Sequence, residues 1–209
     1  MEIDMADILT MGKNARKASR SLARLGTDKK NEVLSAVAEA IRADADYILE
    51  ENRKDVEQGR ADGMKSGLLD RLTLTQSRIE GMADGVRQVA ALDDPVGEVL
   101  SMKKRPNGLL IGKKRVPFGV IAVIYESRPN VTLDTFGLCF KTGNAFILKG
   151  GSDAINSNIA IAKVIREALK SCGIDENALQ LIDSTDRECV KELLTMNEYV
   201  DVIIPRGGR

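Results

Sequence analysis

The sequence predicts an α/β fold in which a parallel sheet follows a helical segment and a β-hairpin. Four short, nearly continuous apolar runs (VIAVI, AFILK, ALQLI and VDVII) occur at 120–124, 145–149, 178–182 and 200–204. Such runs are typical of strands buried on both faces of a parallel sheet. Helical patterns lie between them, at 133–141, 155–170 and 187–196. This alternation indicates βαβ units with right-handed crossovers.

The residues up to Asp94 carry helical periodicity. Gly26 ends a first apolar stripe, and Thr27 is the expected N-cap of the next helix, with Asp28 placed favourably for the helix dipole. A charged helix is expected to end at Gly59, and Thr75 is expected to begin another that ends before the DDPVG segment. The positions expected to face the core are Ala15, Ala18, Leu22, Leu25, Val33, Leu34, Val37, Ala38, Ile41, Tyr47, Ile48, Val56, Ile79, Met82, Val86 and Val89.

A β-hairpin is predicted at 99–116, because Asn107-Gly108 is a favoured dipeptide of two-residue type I′ turns and apolar residues flank it. Its basic residues are Lys103, Lys104, Arg105, Lys113, Lys114 and Arg115. They fit an exposed arm, or a sheet edge protected by lysines. A nucleic-acid-binding ribbon is the alternative. The lack of aromatic residues in the hairpin and the balance of 31 basic against 31 acidic residues in the chain disfavour it.

Composition narrows the chemistry further. The chain contains no histidine, which excludes Ser-His-Asp triads and histidine metal sites within it. Its three cysteines, Cys139, Cys172 and Cys189, are too few and too widely spaced for a disulfide framework, so we expect reduced thiols in the cytoplasm. None of them follows a predicted strand, and none is expected to be a nucleophile. No apolar stretch is long enough to span a bilayer.

Polar side chains follow the first strand of the predicted sheet in the loop YESRPN. The loop brings together Glu126, Ser127, Arg128 and Asn130, and Pro129 restricts its backbone. Ligands of open α/β sheets bind beyond the carboxyl ends of the strands, which favours a functional loop. The alternative is structural: Glu126 and Arg128 pair with neighbours, and Asn130 caps the next helix.

Two Gly-containing loops are candidate anion sites. Lys149, Gly150, Gly151 and Ser152 follow the second strand, with Ser152 or Asp153 as the expected N-cap of the next helix. Unpaired N–H groups at that helix N-terminus, close backbone approach at glycine and an adjacent ammonium would suit a nucleotide phosphate or ribose. Arg206, Gly207 and Gly208 follow the last strand, and Arg206 could bind an anion bidentately. Plain turns are the alternative for both loops, and neither is a P-loop or a G-x-G-x-x-G motif.

Several of these segments together resemble one family. VPFGVIAVIYESRPNVTLDTFGLCFKTGNAFILKGGSDAINSN, IPRGG and LLDRLTLTQSRIEGMADGVRQVAALDDPVGEV occur in the order found in gamma-glutamyl phosphate reductases, which belong to the aldehyde dehydrogenase superfamily. The resemblance runs from end to end of the chain. It implies a variant Rossmann-like sheet, N-terminal helices and a β-hairpin arm for oligomerisation. The segments expected are a helical part at 1–95, the arm at 97–116 and βαβ units at 117–209.

The resemblance also implies an activity, the NADPH-dependent reduction of L-glutamyl 5-phosphate to L-glutamate 5-semialdehyde and phosphate in proline biosynthesis. Family members use a cysteine thiolate from a motif in their second half, which nothing here matches. We therefore expect that the chain stops where the family continues into a catalytic domain, and that these 209 residues alone are inactive.

Site roles follow from the same resemblance. Lys149, Gly150, Gly151 and Ser152 match the ribose side of the coenzyme site, and Arg206, Gly207 and Gly208 match its pyrophosphate side. Glu126, Ser127, Arg128 and Asn130 match the substrate-side loop, where Asn130 is a candidate oxyanion contact. The implied partners are the small-molecule substrate and further copies of the chain, without nucleic acid, membrane or metal. A non-catalytic module that docks a pathway partner, glutamate 5-kinase, is the alternative function.

Overall fold

A computed structural model describes residues 5–186 and 188–206. Its first part consists of the helices α1 (Met5–Leu22), α2 (Thr27–Ala43), α3 (Ala45–Ala61), α4 (Ser66–Leu72) and α5 (Gln76–Ala91). The predicted stripes of α1, α2, α3 and α5 face the core, apart from exposed Tyr47 and the half-buried Leu25 and Val89. The sequence pattern does not predict helix α4, because its seven residues are too few to show helical periodicity.

The beginning of α2 differs from the prediction. Thr27 is the first residue of the helix rather than its cap; Gly26 holds the cap position without a side-chain hydrogen bond. The Thr27 hydroxyl instead donates to Asp94 Oδ2 at 3.0 Å, and Lys30 Nζ donates to the same oxygen at 2.7 Å. Lys30 is 1% exposed, so this ion pair fixes α2 to the segment that leads into the hairpin. Thr75, in contrast, caps α5 as predicted, with its side chain accepting from Arg78 N.

Strands β1 (Val99–Lys104) and β2 (Leu110–Lys114) form the predicted antiparallel hairpin, with every residue exposed. The prediction of a two-residue type I′ turn is wrong. Arg105 N donates to Leu109 O and Gly108 N to Arg105 O, which closes a three-residue loop with Gly108 at φ +86°. Pro106 suits the first central position of a type I turn, and Asn107 has no positive φ, which a type I′ turn would require of it.

The second sheet has four parallel strands in the order β5-β4-β3-β6. They are β3 (Val120–Tyr125), β4 (Ala145–Lys149), β5 (Leu179–Leu181) and β6 (Val202–Arg206). The connecting helices are α6 (Asn130–Lys141), α7 (Ile155–Ser171) and α8 (Glu188–Thr195), with short 3-10 turns at Ser152–Ala154 and Glu176–Ala178. The predicted parallel α/β sheet is confirmed.

The last strand lies two residues later than predicted. Pro205 and Arg206 belong to β6, opposite Ile124 and Tyr125 of β3, and not to a loop after it. Proline is tolerated there because β6 is at the edge of the described sheet, where a missing N–H breaks no ladder bond. The end of β6 is therefore fixed by pairing with the central strand.

The strand order creates a switch point. The chain moves from β3 outward to β4 and β5, and then returns to place β6 on the other side of β3. The carboxyl ends of β3 and β6 are thus adjacent, although β4 and β5 lie between these two strands in the chain, and such a position is where open α/β sheets bind ligands. Within the described ranges, no helix is long and apolar enough to cross a membrane.

Candidate functional site

The loop after β3 is hydrogen-bonded to the loop after β4 and, through Thr132, to α7. Tyr125 is buried, and its hydroxyl lies 2.7 Å from Thr132 Oγ1, which in turn donates to Asn158 Oδ1 at 2.9 Å. Burial raises the pKa of Tyr125 well above its ordinary value, so the phenol is neutral. Ser127 Oγ donates to Asp153 Oδ2 at 2.6 Å. The β3 loop and the β4 loop are therefore one hydrogen-bonded unit.

Two adjoining clefts open at this loop. The first, called here the switch-point cleft, is lined by Leu68, Arg71, Tyr125, Glu126, Ser127, Arg128, Val131 and Arg206. The second, called the α4–α5 cleft, is lined by Asp70, Arg71, Thr73, Leu74, Arg78, Gly81, Met82, Arg128, Asn130 and Asp134. The two share Arg71 and Arg128. The guanidinium groups of Arg128 and Arg206, at the carboxyl ends of β3 and β6, and that of Arg71 on α4 make the switch-point cleft suitable for an anionic ligand.

The predicted loop residues meet in these clefts. Arg128 lines both, Glu126 and Ser127 line the switch-point cleft, and Asn130 lines the α4–α5 cleft. Asn130 is the first residue of α6 and not its cap, a position that Pro129 holds. The Asn130 Nδ2 donates to Asp134 Oδ2 at 2.9 Å, so one of its two N–H bonds is already used.

Arg71 and Asp134 are site residues that sequence reasoning missed. Arg71 lies on α4, and Asp134 lies one turn into α6. Burial raises the pKa of Asp134, opposed by the hydrogen bond from Asn130 and the charge of Arg206. The only signal for Asp134 is its i+4 spacing from Asn130, and nothing in the sequence marks Arg71.

Lys149 ends β4 as predicted and is 7% exposed. Its Nζ donates to Gly150 O at 2.9 Å. Burial lowers the pKa of Lys149, and the nearby Cys189 and Asp186 oppose that shift. The ammonium thus contacts the glycine loop that follows β4.

Gly150 and Ser152 differ in what surrounds them. A Cβ on Gly150 would lie 2.3 Å from Asn158 Nδ2 and 3.2 Å from the Tyr125 ring, so only glycine fits. A Cβ on Gly151 would meet backbone atoms of Glu126 at 3.4 Å, which is an ordinary contact. Ser152 is exposed and begins the 3-10 turn. The β4 loop thus combines a crowded floor with an accessible hydroxyl.

The expectation that the N–H groups at the N-terminus of α7 are unpaired is wrong. Asp55 of α3 accepts from Asn156 N at 3.1 Å, Ser157 N at 2.8 Å and Ser157 Oγ at 2.5 Å. Asp55 is 3% exposed, and neither Ser152 nor Asp153 caps α7. A carboxylate from another helix already accepts from these N–H groups, so they are not available to an anionic ligand.

The cysteines lie away from both clefts. Cys139 and Cys189 are buried and Cys172 is half-buried, and none lines the switch-point or the α4–α5 cleft. Burial raises the pKa of Cys139 to about 12, which makes it a poor nucleophile. Across residues 5–186 and 188–206, no group of acidic and cysteine side chains could hold a metal ion. Gly207 and Gly208 lie outside the described residues.

The aldehyde dehydrogenase family model matches residues 1–209, and the chain belongs to that family. Among curated proteins, it is similar to the gamma-glutamyl phosphate reductase of Lachnospira eligens, with 60% identity over 98% of this chain and 49% of that protein. It is also similar to the gamma-glutamyl phosphate reductase of Moorella thermoacetica, with 55% identity over 97% of this chain and 48% of that protein. The chain thus spans about half the length of these relatives.

A crystal structure agrees with the curated relatives. That of a gamma-glutamyl phosphate reductase from Thermotoga maritima matches with a TM-score of 0.94 and 46% identity, over 96% of this chain and 49% of that one. The described fold therefore matches about half of that longer chain.

Proposed function

We propose that this chain is the coenzyme-binding half of an enzyme that reduces L-glutamyl 5-phosphate to L-glutamate 5-semialdehyde and phosphate with NADPH, in cytoplasmic proline biosynthesis. The observation that carries the proposal is the 60% identity, over 98% of this chain, to a protein named gamma-glutamyl phosphate reductase. Because the chain spans about half of that relative, the nucleophilic cysteine is assigned to residues outside it.

The proposed coenzyme site lies at the carboxyl ends of β4 and β6. Lys149, Gly150, Gly151 and Ser152 would hold the ribose side, and Arg206, Gly207 and Gly208 the pyrophosphate side. The ribose side fits the group, because Lys149 Nζ gives one hydrogen bond to Gly150 O and has two further N–H bonds to donate. When bound, NADPH would supply a hydride; these residues bind and orient it.

The identity of the residue at the end of β4 favours NADPH over NADH. In doubly wound sheets, an acidic residue commonly holds the ribose 2′-hydroxyl of NAD, whereas a basic residue accommodates the 2′-phosphate of NADP. Lys149 places a cation at this strand end, three positions before the exposed Ser152. The charge supports a 2′-phosphate.

The proposed substrate side is formed by Glu126, Ser127, Arg128 and Asn130. Asn130 has one N–H bond left after its contact with Asp134, which would be enough for a single oxyanion contact. Glu126, Ser127 and Arg128 line the switch-point cleft beyond the carboxyl end of β3, where the reacting end of the substrate would lie.

Coenzyme titrations on the 209-residue chain, followed by NADPH fluorescence, test the proposal. Lys149→Ala is expected to weaken NADPH binding about tenfold or more, since a hydrogen bond to a charged group contributes about 1.5–3 kcal/mol. NADH binding is expected to change little. Lys170→Ala, in the last turn of α7, is the control and is expected to leave NADPH binding unchanged. Equal affinity of the unaltered chain for NADPH and NADH would argue against the coenzyme assignment, and reductase turnover by this chain alone would argue against the missing nucleophile.

We also propose that the hairpin joins copies of the chain into a homo-oligomer. Its exposed apolar side chains support an interface: Val99, Leu100, Met102, Leu109, Leu110 and Ile111. The same surface would serve the alternative function, a non-catalytic module that docks glutamate 5-kinase.

A further inference from the structure

The α4–α5 cleft carries charges of both signs, and part of them is engaged within the protein. Arg78 pairs with Asp70 at 2.8 Å and donates to the carbonyl oxygens of Asp70 and Thr73. These bonds hold the end of α4 against the start of α5. Arg78 and Asp70 are therefore wall-forming groups with few hydrogen bonds left for a ligand.

Arg71 and Arg128 differ from Arg78. Neither guanidinium forms a hydrogen bond or an ion pair with another side chain in the described ranges, although Arg16, Arg42, Arg53, Arg87 and Arg115 all have carboxylate partners. Both line the α4–α5 cleft and the switch-point cleft. Two unneutralised guanidinium groups at the junction are suited to bidentate binding of a carboxylate.

Asp134 supplies the opposite charge in the same cleft. Its Oδ2 accepts from Asn130 Nδ2 at 2.9 Å, while its Oδ1 accepts no hydrogen bond from any described residue. A carboxylate oxygen with unused lone pairs, in a cleft that two guanidinium groups also line, can accept from an ammonium. The cleft therefore presents one anionic and two cationic groups to a single ligand.

We propose that the α4–α5 cleft binds the α-amino acid end of the substrate, with Arg71 and Arg128 on the α-carboxylate and Asp134 on the α-ammonium. The substrate's identity rests on the proposed function. The cavity of about 380 Å³ lies within the usual range of ligand pockets, roughly 300–1,000 Å³. Since Arg71 and Arg128 also line the switch-point cleft, the other end of the substrate extends towards the ends of β3 and β6.

The charge pattern implies a specificity. A dicarboxylate without the amino group would leave Asp134 Oδ1 without a hydrogen-bond donor, and the ligand's own carboxylate would add a second negative charge to the cleft. The cleft therefore selects an amino acid over its deaminated analogue. Asp134 is the specificity-determining residue, whereas Arg71 and Arg128 bind both compounds.

The test compares L-glutamate with glutarate in NMR titrations of this chain, which detect millimolar binding. L-glutamate is expected to bind about tenfold more tightly or better, because the lost contact is a charge-assisted hydrogen bond. Asp134→Asn is expected to remove that preference while glutarate binding stays within about twofold. Asp46→Asn, on the exposed face of α3, keeps the preference and is the matched control. Equal binding of the two ligands, no L-glutamate binding at tens of millimolar, or an Asp134→Asn chain that keeps the preference would each overturn the proposal.

NADPH binding, measured on the same samples, separates this inference from the proposed function. A chain that binds NADPH but does not distinguish L-glutamate from glutarate retains the function and loses the amino acid site. A chain that distinguishes the two ligands but binds no NADPH loses the reductase assignment and retains an amino acid site. Unchanged NADPH affinity in Asp134→Asn shows that the variant is folded.

Discussion

Gly150, in the loop after β4, lies where the surrounding side chains leave no room for a methyl group. Gly150 lies under Asn158, whose Oδ1 is held by Thr132, and beside the buried ring of Tyr125. Asn158 Nδ2 has no hydrogen-bond partner among the described residues. The amide therefore has one anchored end, and it cannot move aside without breaking the Thr132 contact.

Gly150→Ala is expected to destabilise the protein by roughly 1–3 kcal/mol, the usual cost of overpacking a close-packed interior. Urea unfolding followed by circular dichroism measures the change. Gly85→Ala is the control: it lies within α5, where an added Cβ meets nothing within 4 Å, and it is expected to stabilise by up to about 1 kcal/mol. Equal stability of the two variants would mean that the Asn158 amide rearranges at no cost.

Individual site residues were predictable only where the sequence marked their position. Arg128 and Lys149 follow apolar runs, so the rule on strand ends identifies them without knowledge of the fold. Asp55 accepts from residues 101 and 102 positions away, and no local pattern reports such a contact. The error about the α7 N-terminus has this origin, because a helix capped by a distant carboxylate has the same local sequence as an open one.

At the scale of elements, the Lys30–Asp94 pair joins the start of α2 to the segment between α5 and the hairpin. Burial alone raises the pKa of Asp94, but the hydrogen bonds from Lys30, Val96 N–H and Thr27, with the charge of Lys30, bring it below the ordinary value of 3.8. A carboxyl group with a depressed folded pKa contributes stability that is complete above its unfolded pKa, and this contribution is lost as the pH falls through the folded value.

Asp94→Asn is expected to cost roughly 3–5 kcal/mol near pH 7, because it leaves Lys30 buried without its counter-charge. The difference in unfolding free energy from the unaltered chain should begin to narrow below about pH 4, where the carboxyl group is protonated in the unfolded chain, and should narrow further as the pH falls through the lower folded pKa of Asp94. Urea midpoints at pH 7 and pH 3 measure both effects. Asp93→Asn, at the exposed neighbouring position, is expected to stay within about 0.5 kcal/mol of the unaltered chain at both pH values. If Asp94→Asn were as much less stable than the unaltered chain at pH 3 as at pH 7, the loss of the ion pair would be excluded as the cause.

Element types followed from periodicity, and element boundaries did not. The stripes of α1, α2, α3 and α5 predicted their buried faces because an amphipathic helix repeats every 3.6 residues. The run at 200–204 placed β6 two residues too early, since Asp201 is used to accept from Val120 N and Arg16 before the strand begins. Tertiary hydrogen bonds therefore set the boundary that hydrophobicity alone misplaces.

At the scale of the whole molecule, the hairpin is the part that the described fold does not explain. A two-stranded hairpin is at best marginally stable in water, and both faces of this one are exposed. The base of the hairpin adds Val116 and Phe118, which are 74% and 69% exposed. An apolar surface of this kind is typical of an interface.

We therefore expect the chain to associate through the hairpin. Light scattering should give a mass above the 22.8 kDa of a single chain, and Leu110→Ser with Ile111→Ser should lower it. Leu92→Ser, an exposed apolar position outside the hairpin, should not. A monodisperse monomer at micromolar concentration would contradict the expectation.

The class of the sheet could be predicted from the sequence, whereas its strand order could not. Continuous apolar runs separated by helices specify parallel strands, but they do not specify on which side of β3 the last strand pairs. The pairing of β6 with β3 brings Arg206 beside Tyr125, and thereby places Arg206 in the same cleft as Arg71 and Arg128. The cleft therefore exists because β6 pairs with β3 and not with another strand.

The strand order also governs the sequence of events during synthesis on the ribosome. Strand β3 is made before the other three strands, and β4 can pair with one of its edges as soon as α6 and β4 have emerged. The other edge waits for β6, because Val120 N bonds to Asp201, 81 positions later. During that interval the nascent chain carries a central strand with an open, apolar edge, which is the kind of surface that chaperones cover and that aggregation exploits. Among the described strands, the pairing that creates the ligand cleft in the folded protein is therefore also the last one that can form.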